Sequence, residues 1–96
     1  MENLSDKELL IRIQRDDKRA FRHLFDRHYR TLLGTAINVR KEVDAAKDAV
    51  QEVFLQIWKN RAKTEIQSSV LAYLKRAVIN RCLNQIRRQK PFAGDG

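Results

Sequence analysis

With Cys82 as its only cysteine, the chain cannot form an internal disulfide or a cysteine-based metal site, and a lone thiol of this kind belongs in the interior. One proline, three glycines and few alternating β-branched runs argue against a sheet and for helices joined by short loops. No run approaches the roughly eighteen apolar residues of a membrane span, and the first ten residues lack the apolar centre of a signal peptide. The expected location is the cytoplasm. Also missing are a nucleophile paired with a base, a glycine-rich phosphate loop and a metal-ligand set, so catalysis is not expected. His23 and His28 stand five apart, off a common helical face, and no cysteine or second carboxylate completes ligand spacing around them.

Acidic residues are scarce in the second half of the chain. Between positions 59 and 90, Lys59, Arg61, Lys63, Lys75, Arg76, Arg81, Arg87, Arg88 and Lys90 face a single acid, Glu65, and from 70 to 90 there is none. Positions 1–58 nearly balance, with eleven basic and ten acidic residues, so the net charge of +8 is concentrated at one end. A polyanion suits such a distribution, because each neutralised phosphate releases counterions. Charge alone does not separate nucleic acid from membrane, but nucleic acid is the better fit.

Ninety-six residues, 43% of them hydrophobic, suffice for one small domain with one core. The pattern predicts an all-α bundle of three long helices and a short first one. Ser5-Asp6-Lys7-Glu8 has the form of a capping box, predicting a helix over 6–15 that buries Leu9, Leu10 and Ile13. Asp16 and Asp17 offer the next N-cap, and the apolar positions Phe21, Leu24, Phe25, His28, Tyr29, Leu32, Leu33, Ala36 and Ile37 predict a helix over 18–40, with His28 at the core edge. Gly34 inside it suggests the close approach of a neighbouring helix. A third helix over 44–59, ending near Arg61, takes Asp44 as its cap. After a polar loop over 60–69, Ser68 or Ser69 caps a last helix from Val70 to Arg88 or Lys90, where Pro91 stops it. Positions 91–96 read as a tail or the start of a linker.

Two of these helices have a second face. On the third, Ala46, Ala49, Val50, Val53 and Ile57 form the core stripe, while Lys47, Asp48, Gln51, Glu52 and Leu55 lie opposite, with Phe54 and Trp58 at the boundary. A single exposed Leu55 is ordinary. Apolar anchors ringed by hydrogen-bonding groups, however, are the composition of a docking face. On the last helix, Leu71, Leu74, Val78, Ile79, Cys82, Leu83 and Ile86 form an apolar arc. Tyr73, Arg76, Asn80, Asn84, Arg87 and Arg88 lie opposite, with Arg81 near the border. Arg and Asn can donate to phosphate or read base edges, and Tyr73 can stack on an unpaired base.

The run Ala46, Asp48, Val50, Gln51, Glu52, Val53, Phe54, then Trp58, followed by Tyr73, Leu74, Ala77, Asn80 and Arg87, resembles region 2 of the extracytoplasmic-function (ECF) sigma factors of bacterial RNA polymerase. The similarity runs from about Leu9 to Lys90. It implies a region 2 domain over 1–90 whose third helix docks on the clamp coiled coil of the polymerase β′ subunit through Asp48, Gln51 and Glu52, with Leu55 and Trp58 as apolar contacts. It also implies that the loop over 60–69 and the last helix recognise the promoter −10 element, capture an extruded base and hold the non-template strand. The DNA contacts expected are Lys63, Tyr73, Arg76, Asn80, Arg81, Asn84, Arg87 and Arg88.

The chain departs from the family where Lys47 and Ala49 replace the common Glu and Leu, and where Asn84 replaces a frequent Asp. The family's region 4, which reads the −35 element, has no counterpart here, so a region 2 fragment or stand-alone domain with weak promoter binding of its own is expected. The alternatives are a general helical nucleic-acid binder without polymerase and a protein-interaction module gripping an acidic partner, as an anti-sigma factor would be.

Overall fold

The computed structural model describes residues 3–89. The reading of positions 91–96 as tail or linker, like Lys90 as a helix end, lies outside the described residues. Four helices follow in order: α1 (Asp6–Gln14), α2 (Lys18–Arg40), α3 (Val43–Lys59) and α4 (Val70–Gln89). The bundle is all-α, and α2 packs against each of the other three.

The helix starts are set by side chains that satisfy otherwise unpaired amides. At α1, Glu8 N donates to Ser5 Oγ at 3.1 Å and Ser5 N donates to Glu8 Oε1 at 2.7 Å, closing the capping box. The Ser5 backbone and side-chain bonds hold the Glu8 carboxyl below its ordinary range, so the stabilisation it gives is present above that range and lost as pH falls through the lowered value. At α2, Asp17 Oδ1 accepts from Arg19 N and Ala20 N. At α4, Ser69 Oγ accepts from Ala72 N at 3.0 Å. The third start differs from expectation. Glu42, in an extended conformation, is the N-cap of α3 and makes no side-chain cap bond, while Asp44 is the second residue of the helix. Within that first turn its charge still favours the helix N-terminus.

Leu9, Ile13, Leu24, Leu32, Val50, Leu74 and Val78 form the centre of the core. Three further expectations change. Phe54 is 1% exposed, with its ring 4.8 Å from Phe25 and 6.1 Å from Phe21, so it is core and not boundary. Leu83 is 43% exposed because α4 meets the bundle along the i+4 seam of Val70, Leu74, Val78 and Cys82, and Leu83 is turned about 100° away from Cys82. Gly34 has no neighbour within 4 Å of where a Cβ would stand, so no helix approaches it closely. Gly34→Ala is therefore expected to raise stability by up to about 1 kcal/mol through helix propensity alone. Thermal unfolding followed by circular dichroism would show a higher midpoint, and an unchanged or lower one contradicts this.

His28 is buried at the core edge, and its Nε2 lies 2.8 Å from Asp6 Oδ2. Arg27 Nη1 donates to Asp6 Oδ1 at 3.0 Å, so one carboxylate staples the start of α1 to α2. Cys82 is fully buried with Sγ 3.8 Å from Ala36 O, and burial pushes its thiol pKa up against the opposing charge of Arg40.

Candidate nucleic-acid interface

Packing α3 against α4 leaves a cleft on one side of the bundle, of about 260 Å³. Its floor is Val53 and Ile57 of α3, and its α4 wall is Tyr73, Ala77, Asn80, Arg81 and Asn84. The other wall is Gln56, Asn60 and Thr64, from the end of α3 and the loop after it. Four of the expected DNA contacts thus converge on one recess. Its apolar floor and amide, hydroxyl and guanidinium rim suit a planar, hydrogen-bonding ring better than a bulky apolar ligand.

Arg76, Arg87 and Lys63 are exposed but do not line the recess; the α4 pair continue the stripe begun by Tyr73 and Asn80. Arg88 lies apart, in a depression at the other end of α4 with Arg40, Glu42, Asp44, Asp48 and Gln85. Three acids, Glu42, Asp44 and Asp48, line that depression with it. Arg81 is not a free cation, since its Nε is 3.4 Å from Glu52 Oε1 of α3. Glu52 and Arg81, expected on different working faces, meet across the groove between them.

The loop itself is tied down more than its polar composition suggests. Lys63 N and Thr64 Oγ1 donate to Asn60 O, and Asn60 Nδ2 donates to Gln56 Oε1. Gln56, Asn60 and Thr64 were passed over in the sequence because this wall runs from the last turns of α3 into the loop, where the helical projection ends. Their only signal was three amide and hydroxyl side chains spaced by four.

On the outer side of α3, Asp48, Gln51, Glu52 and Leu55 are exposed, and Leu55 is 58% so. Leu55 and the half-buried Trp58 border an apolar hollow of about 420 Å³ whose other wall is Phe21 and Phe25 of α2, with Lys18 and Arg22 at its rim. Gln51 lies over the adjoining recess with Phe21, Phe25 and Phe54. The face expected to dock therefore extends onto α2. Phe21 and Phe25 were legible only as core, because an i, i+4 aromatic pair on an apolar stripe reads the same whether it is covered or half open.

Among the described residues no three His, Cys, Asp or Glu side chains cluster as a metal site, and no helix is long and apolar enough to cross a membrane.

Residues 24–92 match the family described as Sigma-70 region 2. The chain belongs to that family. It is 35% identical over 86 residues to the ECF RNA polymerase sigma factor SigM of Mycobacterium tuberculosis H37Rv, a match that covers 90% of this chain and 44% of that protein. It is 30% identical over 92 residues to the RNA polymerase sigma-H factor of Pseudomonas aeruginosa PAO1, covering 94% and 48%. The chain thus spans less than half the length of these relatives. An NMR structure of an engineered region 2 of sigmaE in complex with GTAAAA superimposes with a TM-score of 0.82 over 100% of this chain and 99% of that one, at 23% identity. At that identity the likeness speaks for the fold. In this region 2 domain the family match begins within α2 and takes in both the cleft and the α3 face.

Proposed function

We propose that the domain, over residues 1–90, works in transcription initiation by binding on two faces and not by catalysis. The outer face of α3, with the Phe21, Phe25, Leu55 and Trp58 hollow as its apolar centre, docks on the β′ clamp of RNA polymerase. The cleft takes a base extruded from the non-template strand of a promoter −10 element. Arg76 and Arg87, with Lys63 on the loop, hold the phosphates beside it. The observation that carries this reading is the gathering of Tyr73, Asn80, Arg81 and Asn84 in one recess on an acid-free helix. Extruding a base costs a few kcal/mol, offset by stacking and pocket contacts. Polymerase and promoter place this work in the cytoplasm.

The engineered region 2 of sigmaE that shares this fold is described in complex with GTAAAA, so that six-nucleotide strand is the natural probe. Fluorescence anisotropy should show tighter binding to GTAAAA than to a scrambled strand of equal charge. Equal affinities would favour a general nucleic-acid binder. Docking is tested separately. Gln51→Ala with Leu55→Ala, both exposed, should abolish capture by polymerase core with the fold intact. Unchanged capture would remove α3 as the docking face.

A further inference from the structure

Asn60 and Thr64 line the cleft from a loop whose near end is tied to α3, through the bonds of Asn60 to Gln56 and of Arg61 N to Trp58 O. Its far side is tied instead to the end of α1 and the turn that follows. Gln14 Nε2 donates to Thr64 O at 2.8 Å. Arg61 Nε donates to Asp16 Oδ1 at 2.6 Å, its Nη1 donates to Trp58 O at 2.6 Å, and its guanidinium lies 4.0 Å over the Trp58 ring. Arg61 belongs by sequence to the basic segment, yet all these contacts are internal. Asp16 holds the opposite end of this tie with its backbone at φ 68°, in the left-handed region that Asp tolerates better than most residues.

We propose that Gln14 and Asp16, neither of which lines the cleft, are positioning residues for strand binding. They hold the turn from Asn60 to Thr64 at the cleft mouth, one through Thr64 O and the other through Arg61. The inference rests on the cleft being the strand site. It makes the short first helix part of the recognition apparatus, a role that no charge or aromatic residue on it announces.

The test exploits a sign. Deleting an acid from a protein that binds a polyanion strengthens binding if charge alone counts. Positioning demands the reverse. Asp16→Gly keeps a left-handed turn accessible while removing the carboxylate, and it should weaken binding to GTAAAA about three- to tenfold, the loss typical of one net hydrogen bond. Asp16→Asn tolerates the same backbone and keeps an acceptor oxygen, so it should recover most of the affinity. Gln14→Ala changes no charge and should weaken binding with the salt dependence unaltered. Trp58, the only tryptophan, supplies a spectroscopic reading, since releasing Arg61 from its ring in Asp16→Gly should shift its emission.

All variants are compared in the full 96-residue chain, at a temperature where circular dichroism shows each folded, with Asn80→Ala as the cleft control. Loss in Asp16→Gly and Gln14→Ala, with recovery in Asp16→Asn, supports the assignment. Equal or tighter binding by Asp16→Gly and unchanged binding by Gln14→Ala, while Asn80→Ala still weakens it, overturns the positioning role alone. If Asn80→Ala is also without effect, the strand reading of the cleft falls and the inference with it.

Discussion

Asn80→Ala combined with Arg87→Ala is expected to lower affinity for the single-stranded probe about 10- to 100-fold. Asn80 lines the cleft and Arg87 lies exposed further along the same stripe of α4, so the two act on different parts of a bound strand. Base-edge contacts of the Asn type are worth about 1–3 kcal/mol, and each 1.4 kcal/mol is tenfold. Their separate signatures differ. Arg87→Ala should reduce the slope of log affinity against log salt by about 0.7, the single-strand value for one phosphate contact, and its loss should be greatest at low salt. Asn80→Ala should lower affinity at every salt concentration alike. Because both side chains are exposed, unfolding stability should stay within about 0.5 kcal/mol of wild type. A titration in which neither variant loses affinity would refute the α4 face as the strand site.

The largest effect on stability is expected from Phe54→Ala, at about 3–5 kcal/mol. The ring is fully buried between Phe21 and Phe25, and its removal opens a cavity behind the apolar hollow. A domain of this size shifts its melting temperature by about 4–8 °C per kcal/mol, so the midpoint should fall by more than ten degrees. The adjacent residue supplies the contrast. Leu55→Ala removes an exposed side chain and should cost at most about 0.5 kcal/mol of stability, while weakening capture by polymerase core. Urea unfolding of the two variants checks the pair. Equal destabilisation would mean that the division of α3 into core and docking sides is misdrawn.

What could be read from the sequence is what depends on local chemistry. The capping box at Ser5 and Glu8, the cap at Asp17 and the cap at Ser69 each form as the spacing requires, because the groups that satisfy the first amides of a helix lie within three residues of them. The misplaced start of α3 has the same origin, since Asp44 looks like a cap but serves equally well as first-turn charge once Val43 enters the helix. The buried positions Leu24, His28, Leu32 and Ala36 on α2 follow from period, while Ala20, also buried, was passed over.

What could not be read depends on partners distant in the chain. Phe54 and Leu55 are about 100° apart on α3, and only the rings of α2 decide which of them is covered. The pairing of Arg81 with Glu52 and of Arg61 with Asp16 joins residues that no helical projection relates. These pairs remove two cations from the tally of free basic groups. The loop wall of the cleft and the contribution of α1 to it likewise arise from tertiary contact, through Gln14 and Thr64.

If one bundle carries two separable binding faces, a crossed comparison separates them. Wild type, Gln51→Ala with Leu55→Ala, and Asn80→Ala with Arg87→Ala would each be titrated against polymerase core and against the six-nucleotide strand. The first pair of substitutions is expected to lose core but keep the strand, and the second pair to lose the strand but keep core. Loss of both ligands by a folded variant, or of neither by either variant, would contradict it.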